Sequence, residues 1–92
     1  MDHNQTDLSV LKDKKQELIN IMNIVLYNDD VNTFDNVIDA LIKICKHEAD
    51  QAEQCAYIVH YKGKCTVKSG EYRKIRPICE ALLERGLSAT IE

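Results

Sequence analysis

The stretch Ile21-Met22-Asn23-Ile24-Val25-Leu26-Tyr27-Asn28-Asp29-Asp30 decides the fold of this chain. Its first seven residues are mostly apolar and include β-branched side chains, which suit a pleated strand better than a helix. Asn28-Asp29-Asp30 then stops the run, because short polar side chains that bond the local backbone favour a turn. An apolar run of this length with such a stop predicts a strand buried on at least one face.

Downstream the period changes. Phe34, Val37, Ile38, Leu41, Ile44 and Cys45 recur at three and four residues, the spacing of a helix with one buried face. Asn32 or Thr33 can cap its first turn, and Asp35 places a negative charge where the helix dipole favours one. A second helix is predicted from about Glu48 to Tyr61, with Ala49, Ala52, Cys55, Ala56 and Val59 as its apolar stripe and Gly63 as its stop. Lys64 to Lys68 reads as a short strand turned by Ser69-Gly70. Tyr72, Ile75, Ile78, Cys79, Leu82 and Leu83 give a third helical pattern, closed by Gly86. Pro77 lacks an amide proton, so this helix is either kinked there or starts near Ile75 with Pro77 in its first turn. Leu87, Ala89 and Ile91 alternate with Ser88 and Thr90, as in a half-buried strand. The order is β-α-α-β-α-β, an α+β sandwich with helices packed on one face of a three-stranded antiparallel sheet.

Upstream, residues 1–20 hold few apolar side chains, and Lys12-Asp13-Lys14-Lys15-Gln16-Glu17 is a solvated charge run. They are expected to form a flexible N-terminal extension to a core domain over residues 21–92.

The bulk numbers exclude several functions. The 92 residues suffice for one domain, and 45 % hydrophobic with 29 % charged residues is ordinary for a globular one. A formal net charge of −3 argues against nucleic acid, which calls for a clustered basic face. No apolar run is long enough to span a bilayer. The polar, acidic start Met1-Asp2-His3-Asn4 is unlike a signal peptide, so a cytoplasmic location is expected. Cys45, Cys55, Cys65 and Cys79 lie ten or more residues apart without a C-x-x-C pair. That spacing predicts reduced thiols and no metal site. No nucleophile elbow or base-orienter pair is evident, so neither an enzyme nor a cofactor is expected.

Two motifs carry a resemblance. Val25-Leu26-Tyr27-Asn28-Asp29-Asp30 leads into Phe34 and Val37-Ile38-Asp39-Ala40-Leu41. Some thirty residues on, Gln51-Ala52-Glu53-Gln54 leads into Val59-His60-Tyr61-Lys62-Gly63-Lys64. Both, in this order and separation, resemble the ClpS adaptor family, and the ending Leu87-Ser88-Ala89-Thr90-Ile91-Glu92 is similar to the family's final strand. The resemblance covers about Met22 to Glu92. It implies a fold similar to the C-terminal domain of the ribosomal stalk protein. It also implies an adaptor that binds proteins with a bulky apolar first residue and a free α-amino group, and delivers them to the N-terminal domain of a ClpA-type AAA+ unfoldase in the ClpAP protease. A monomer without membrane or nucleic-acid partners is expected. The alternative is an interaction domain of the same fold that has lost amino-terminus recognition.

Residue by residue, the resemblance assigns Asn28, Asp29, Asp30 and His60 to the α-amino group. Chemically this is apt: an ammonium offers three donors and one positive charge, which amide, carboxylate and neutral imidazole acceptors can meet. The pocket for the first side chain is carried over to Asn32, Phe34, Ala56, Val59 and Leu87. Phe34 and Ala56 stand where many members have methionines, so an altered ranking of first residues is expected. Asn32-Thr33 replaces the usual Thr-Pro, and the stretch from Lys64 to Leu87 is several residues shorter than in many relatives. Glu71 and Lys74 are the candidate unfoldase contacts.

Overall fold

The computed structural model describes residues 21–92. Strand β1 (Ile21–Tyr27) is followed by α1 (Phe34–Cys45), α2 (Ala49–Lys62), β2 (Lys64–Glu71), α3 (Tyr72–Glu84) and β3 (Ser88–Ile91). This is the predicted order of elements. The extension expected over residues 1–20 lies outside the described residues.

β1 is the central strand, paired antiparallel to β2 on one side and to β3 on the other. Alternation along it sends Met22, Ile24 and Leu26 to one face, where they meet the helices. α3 lies against all three strands, α2 against β2 and α1, and α1 packs on α2 and α3. The core joins Ile24, Leu26, Val67 and Ala89 of the sheet to Leu41, Val59, Ile75 and Leu82 of the helices. Burial of this shared apolar surface is the main force holding the layers together.

Strand β2 differs from the expectation. It runs through Ser69-Gly70 to Glu71 instead of turning there. Gly70 stays in the strand because α3 crosses close above it: a Cβ at this position would lie 3.1 Å from Ile75 Cγ2. Its glycine serves close packing, not a turn. A bulge also interrupts the pairing, with Ile24 opposite Lys68 and Val25 opposite Thr66. Val67 is the extra residue, and the bulge turns both Val67 and Lys68 toward the helices. Val67 enters the core, while Lys68 Nζ donates to the Cys45 carbonyl at 3.1 Å.

The third helix starts at Tyr72, directly after β2, and continues through Pro77 in its second turn. It does not start near Ile75. Burying Ile75, Cys79 and Leu82 on one face fixes the helical register from the first turn. Pro77 and Arg73, the residue whose carbonyl loses its intrahelical donor, both face solvent, so water can satisfy that carbonyl.

Two junctions fix where the strands and helices stop. At the start of α1, Thr33 Oγ1 accepts from the Asn36 amide at 3.1 Å, so Thr33 is the cap and Asn32 is left free for another task. At the end of α2, Gly63 takes φ +94°, a left-handed turn that favours glycine, and its carbonyl accepts from the Asn28 amide at 2.9 Å. That bond ties the stop of α2 to the stop of β1.

Candidate functional site

Because those two stops meet, the Asn28-Asp29-Asp30 turn and the last turns of α2 face each other across the start of α1. Between them lies a cavity of about 340 Å³ lined by Asn28, Asp29, Asp30, Asn32, Phe34, Val37, Ala56, Val59 and His60. This is within the range for small-ligand sites, which are mostly apolar with a few convergent polar groups. Of the nine residues expected to form the site, eight line this cavity. Leu87 is buried, and it lines a narrow cleft that shares Asn28, Asp29, Asn32, Val37 and Val59 with the larger cavity. Helical spacing assigns Val37 to the core alone, yet it also lines the cavity. Its position three after Phe34 marks the same helix face, and that spacing is the signal that could have found it.

The turn is built by Asp29. Its Oδ1 accepts from the amides of Val31 at 2.8 Å and Asn32 at 2.7 Å, and its Oδ2 accepts from Asn32 Nδ2 at 2.8 Å. The Asn32 backbone bond, then its side chain and the Val31 amide, hold the Asp29 carboxyl below its ordinary pKa, against a smaller opposing effect of burial. Asp29 is therefore anionic at neutral pH, but most of its acceptor capacity is engaged within the turn.

Asn32 continues the network. Its Nδ2 also donates to the Gly86 carbonyl at 2.8 Å, and its Oδ1 accepts from Asn36 Nδ2 at 2.5 Å. Asn36 Oδ1 in turn accepts from Arg85 Nη2 at 2.9 Å, and the same Nη2 donates to Asp39 Oδ2 at 2.7 Å. A polar chain thus runs from Asp29 through Asn32, Asn36 and Arg85 to Asp39, bracing the turn against α1 and the end of α3. Asn32 lines the cavity, yet its amide works as a brace.

Three polar residues at the cavity remain available. No hydrogen bond or ion pair is formed by the side chains of Asn28, Asp30 or His60 among the described residues. His60 is oriented by rings instead. It lies 5.5 Å from Phe34 and 4.9 Å from Tyr61, centroid to centroid, the latter edge-on. Phe34 also meets Tyr57 at 5.1 Å, and Tyr57 stacks on Tyr61 at 5.5 Å. Tyr57 and Tyr61 suggest packing residues by sequence, but they are 51 % and 70 % exposed. They form an outer aromatic rim because α2 turns its 57–61 edge away from the sheet.

Glu71 and Lys74 lie elsewhere. Glu71 pairs with Ile21, at the opposite end of β1 from Asn28, about 20 Å along the strand at a strand's rise per residue. Both are exposed.

Among the described residues, no three His, Cys, Asp or Glu side chains are grouped to hold a metal ion. Burial pushes the Cys45 thiol up to about 11 and the Cys55 thiol, helped by neighbouring Cys65, up to about 12. Thiols so raised stay protonated and are poor nucleophiles. His47, the other half of the C-x-H pair, is buried with Nε2 donating to the Val67 carbonyl at 2.6 Å. What the cavity can do is bind: acceptors and a carboxylate at its rim, apolar walls within.

Residues 19–90 match the family described as ATP-dependent Clp protease adaptor protein ClpS. The chain is 35 % identical over 71 residues to an ATP-dependent Clp protease adapter protein ClpS of Pectobacterium carotovorum, covering 72 % of this chain and 67 % of that one. Its fold is similar to that of Agrobacterium tumefaciens ClpS2 bound to L-phenylalaninamide, with a TM-score of 0.72 at 23 % identity over 79 % of this chain and 95 % of that one.

Proposed function

The chain belongs to the ClpS family of ATP-dependent Clp protease adaptor proteins, and we propose that it binds the free amino terminus of proteins that begin with a bulky apolar residue and delivers them to a ClpA-type unfoldase. One observation carries the reading: Asn28, Asp30 and His60, all without partners among the described residues, surround the mouth of a cavity walled by Phe34, Val37, Ala56 and Val59. An α-amino group has a pKa of about 7.7–8.0 and is largely an ammonium at neutral pH. The Asn28 amide oxygen and neutral His60 accept from it, the Asp30 carboxylate supplies direct charge, and Asp29 adds negative potential from within the turn. The first side chain then enters the apolar part. The phenylalaninamide bound to Agrobacterium tumefaciens ClpS2 joins the same two chemical features, a free amine and an aromatic side chain, which supports this reading.

The role is stoichiometric binding, not catalysis. Residues 1–20 and the exposed pair Glu71 and Lys74 are assigned to delivery, away from the cavity, in a monomer working in the cytoplasm. Phe34 in place of a flexible side chain makes a stiffer wall, and Ala56 leaves room opposite, so the preferred first residue depends on their combined shape.

The decisive experiment compares peptides beginning with Phe or Leu against N-acetylated copies. Hydrogen bonds to charged groups contribute about 1.5–3 kcal/mol each, so acetylation is expected to weaken binding by at least tenfold. Equal affinity for the two forms would overturn the assignment. It would leave the interaction domain without terminus recognition as the surviving alternative.

A further inference from the structure

The Phe34 ring separates two cavities. On one side lies the first-residue site. On the other, a groove of about 210 Å³ runs between α1 and α2, lined by Phe34, Asp35, Ile38, Glu53 and Tyr57. Its aromatic walls are open to solvent, with Phe34 39 % and Tyr57 51 % exposed, and the rings meet at 5.1 Å. Two carboxylates, Asp35 and Glu53, stand in the same lining. Neither forms a hydrogen bond or an ion pair among the described residues. Asp35 suits the positive end of α1 in any case. Glu53 has no such explanation, since it sits one turn into α2 and faces this groove with nothing opposite it.

We propose that this groove takes the cationic side chain of a lysine or arginine two residues after the bound amino terminus. The inference rests on the terminus-binding reading above and adds a second point of selection to it. Charge complementarity identifies the occupant: aromatic faces attract a cation, the paired carboxylates repel an acidic side chain, and Ile38 gives the aliphatic stem an apolar floor. Chain geometry identifies the position. In an extended peptide, residues one and three point to the same side and lie about 7 Å apart. The two openings flank a single aromatic ring, so a chain whose first side chain fills one cavity passes its third over the other.

The test uses the full chain and fluorescently tagged peptides Phe-Ser-Lys, Phe-Ser-Ser and Phe-Ser-Glu, each extended by a common neutral sequence. With exposed charge pairs and a cation over a ring, lysine at the third position is expected to bind about three- to tenfold more tightly than serine, and glutamate more weakly than both. The lysine-to-serine ratio is expected to fall below about twofold in the double variant Asp35→Asn with Glu53→Gln, and to shrink at high salt. Equal affinities for the three peptides, or a lysine preference that survives the double variant, would overturn the proposal. An N-acetylated Phe-Ser-Lys peptide separates the failures. If it binds as well as the free form, the terminus reading falls and this inference with it. If acetylation abolishes binding while the third position makes no difference, only the inference falls.

Discussion

At the scale of single residues, the site depends on a division of labour among four polar side chains of one turn. Asp29 and Asn32 bond each other and the backbone, which leaves Asn28 and Asp30 unengaged at the cavity. Sequence alone could not divide them, because Asn-Asp-Asp is equally able to end any strand. The division predicts a pH signature. The Asp29 carboxyl is held below its ordinary value of 3.8, mainly by the Asn32 backbone bond. A depressed folded pKa means that its stabilising effect is complete above the unfolded value and is lost as pH falls through the folded one. Asp29→Asn keeps an oxygen that can accept from Val31 and Asn32 but removes the charge. The gap in unfolding free energy between the natural protein and this variant is expected to be constant from pH 7 to 5 and to close below about pH 4. Urea titrations at stepped pH would show it, and a gap independent of pH would mean that the charge adds nothing.

At the scale of elements, the three helices end in different ways, and one end is strained. The residue after α1 is Lys46, with φ 61° and ψ 33°, the single non-glycine residue with positive φ among those described. Left-handed backbone costs a residue with a Cβ roughly 1–2 kcal/mol, and glycine avoids that cost. Lys46→Gly gives up only an exposed bond from Nζ to the Lys43 carbonyl. Its thermal midpoint is therefore expected to rise by about 4–8 °C, the effect of about 1 kcal/mol in a domain of this size. An unchanged or lower midpoint in calorimetry would refute the strain. The same scale explains where local sequence signals mislead. Gly70 signals a turn locally but is held extended by Ile75 above it, and Pro77 suggests a late helix start but sits where solvent can replace the missing bond. Propensity yielded to packing in both cases.

At the scale of the whole molecule, α3 is the element that joins the three strands, and Leu82 is its fully buried centre. Large-to-small changes at such positions cost about 2–5 kcal/mol, while a domain of about seventy ordered residues has only about 4–10 kcal/mol in total. Leu82→Ala is expected to remove half or more of the stability in urea unfolding. Leu83→Ala, at a residue 50 % exposed, should change it by about 0.5 kcal/mol or less. Similar losses for the two would show that the core is misplaced. The cavity depends on this layer only through the Gly86 and Arg85 contacts to Asn32 and Asn36, so peptide binding is expected to persist in Leu83→Ala.

The sequence by itself determined the order of elements, the central apolar strand and most of the cavity lining. Periodicity reports which face of each element avoids water, and the two motifs mark the ends of β1 and α2. Tertiary structure alone decided that those ends meet, through the Asn28 amide and the Gly63 carbonyl, and that Tyr57 and Tyr61 stand outside the core. It also decided that Asn32 braces the turn and that Val37 both packs and lines the cavity. These outcomes depend on which neighbours occupy space around a residue once the chain is folded, and no local pattern of polar and apolar residues encodes that.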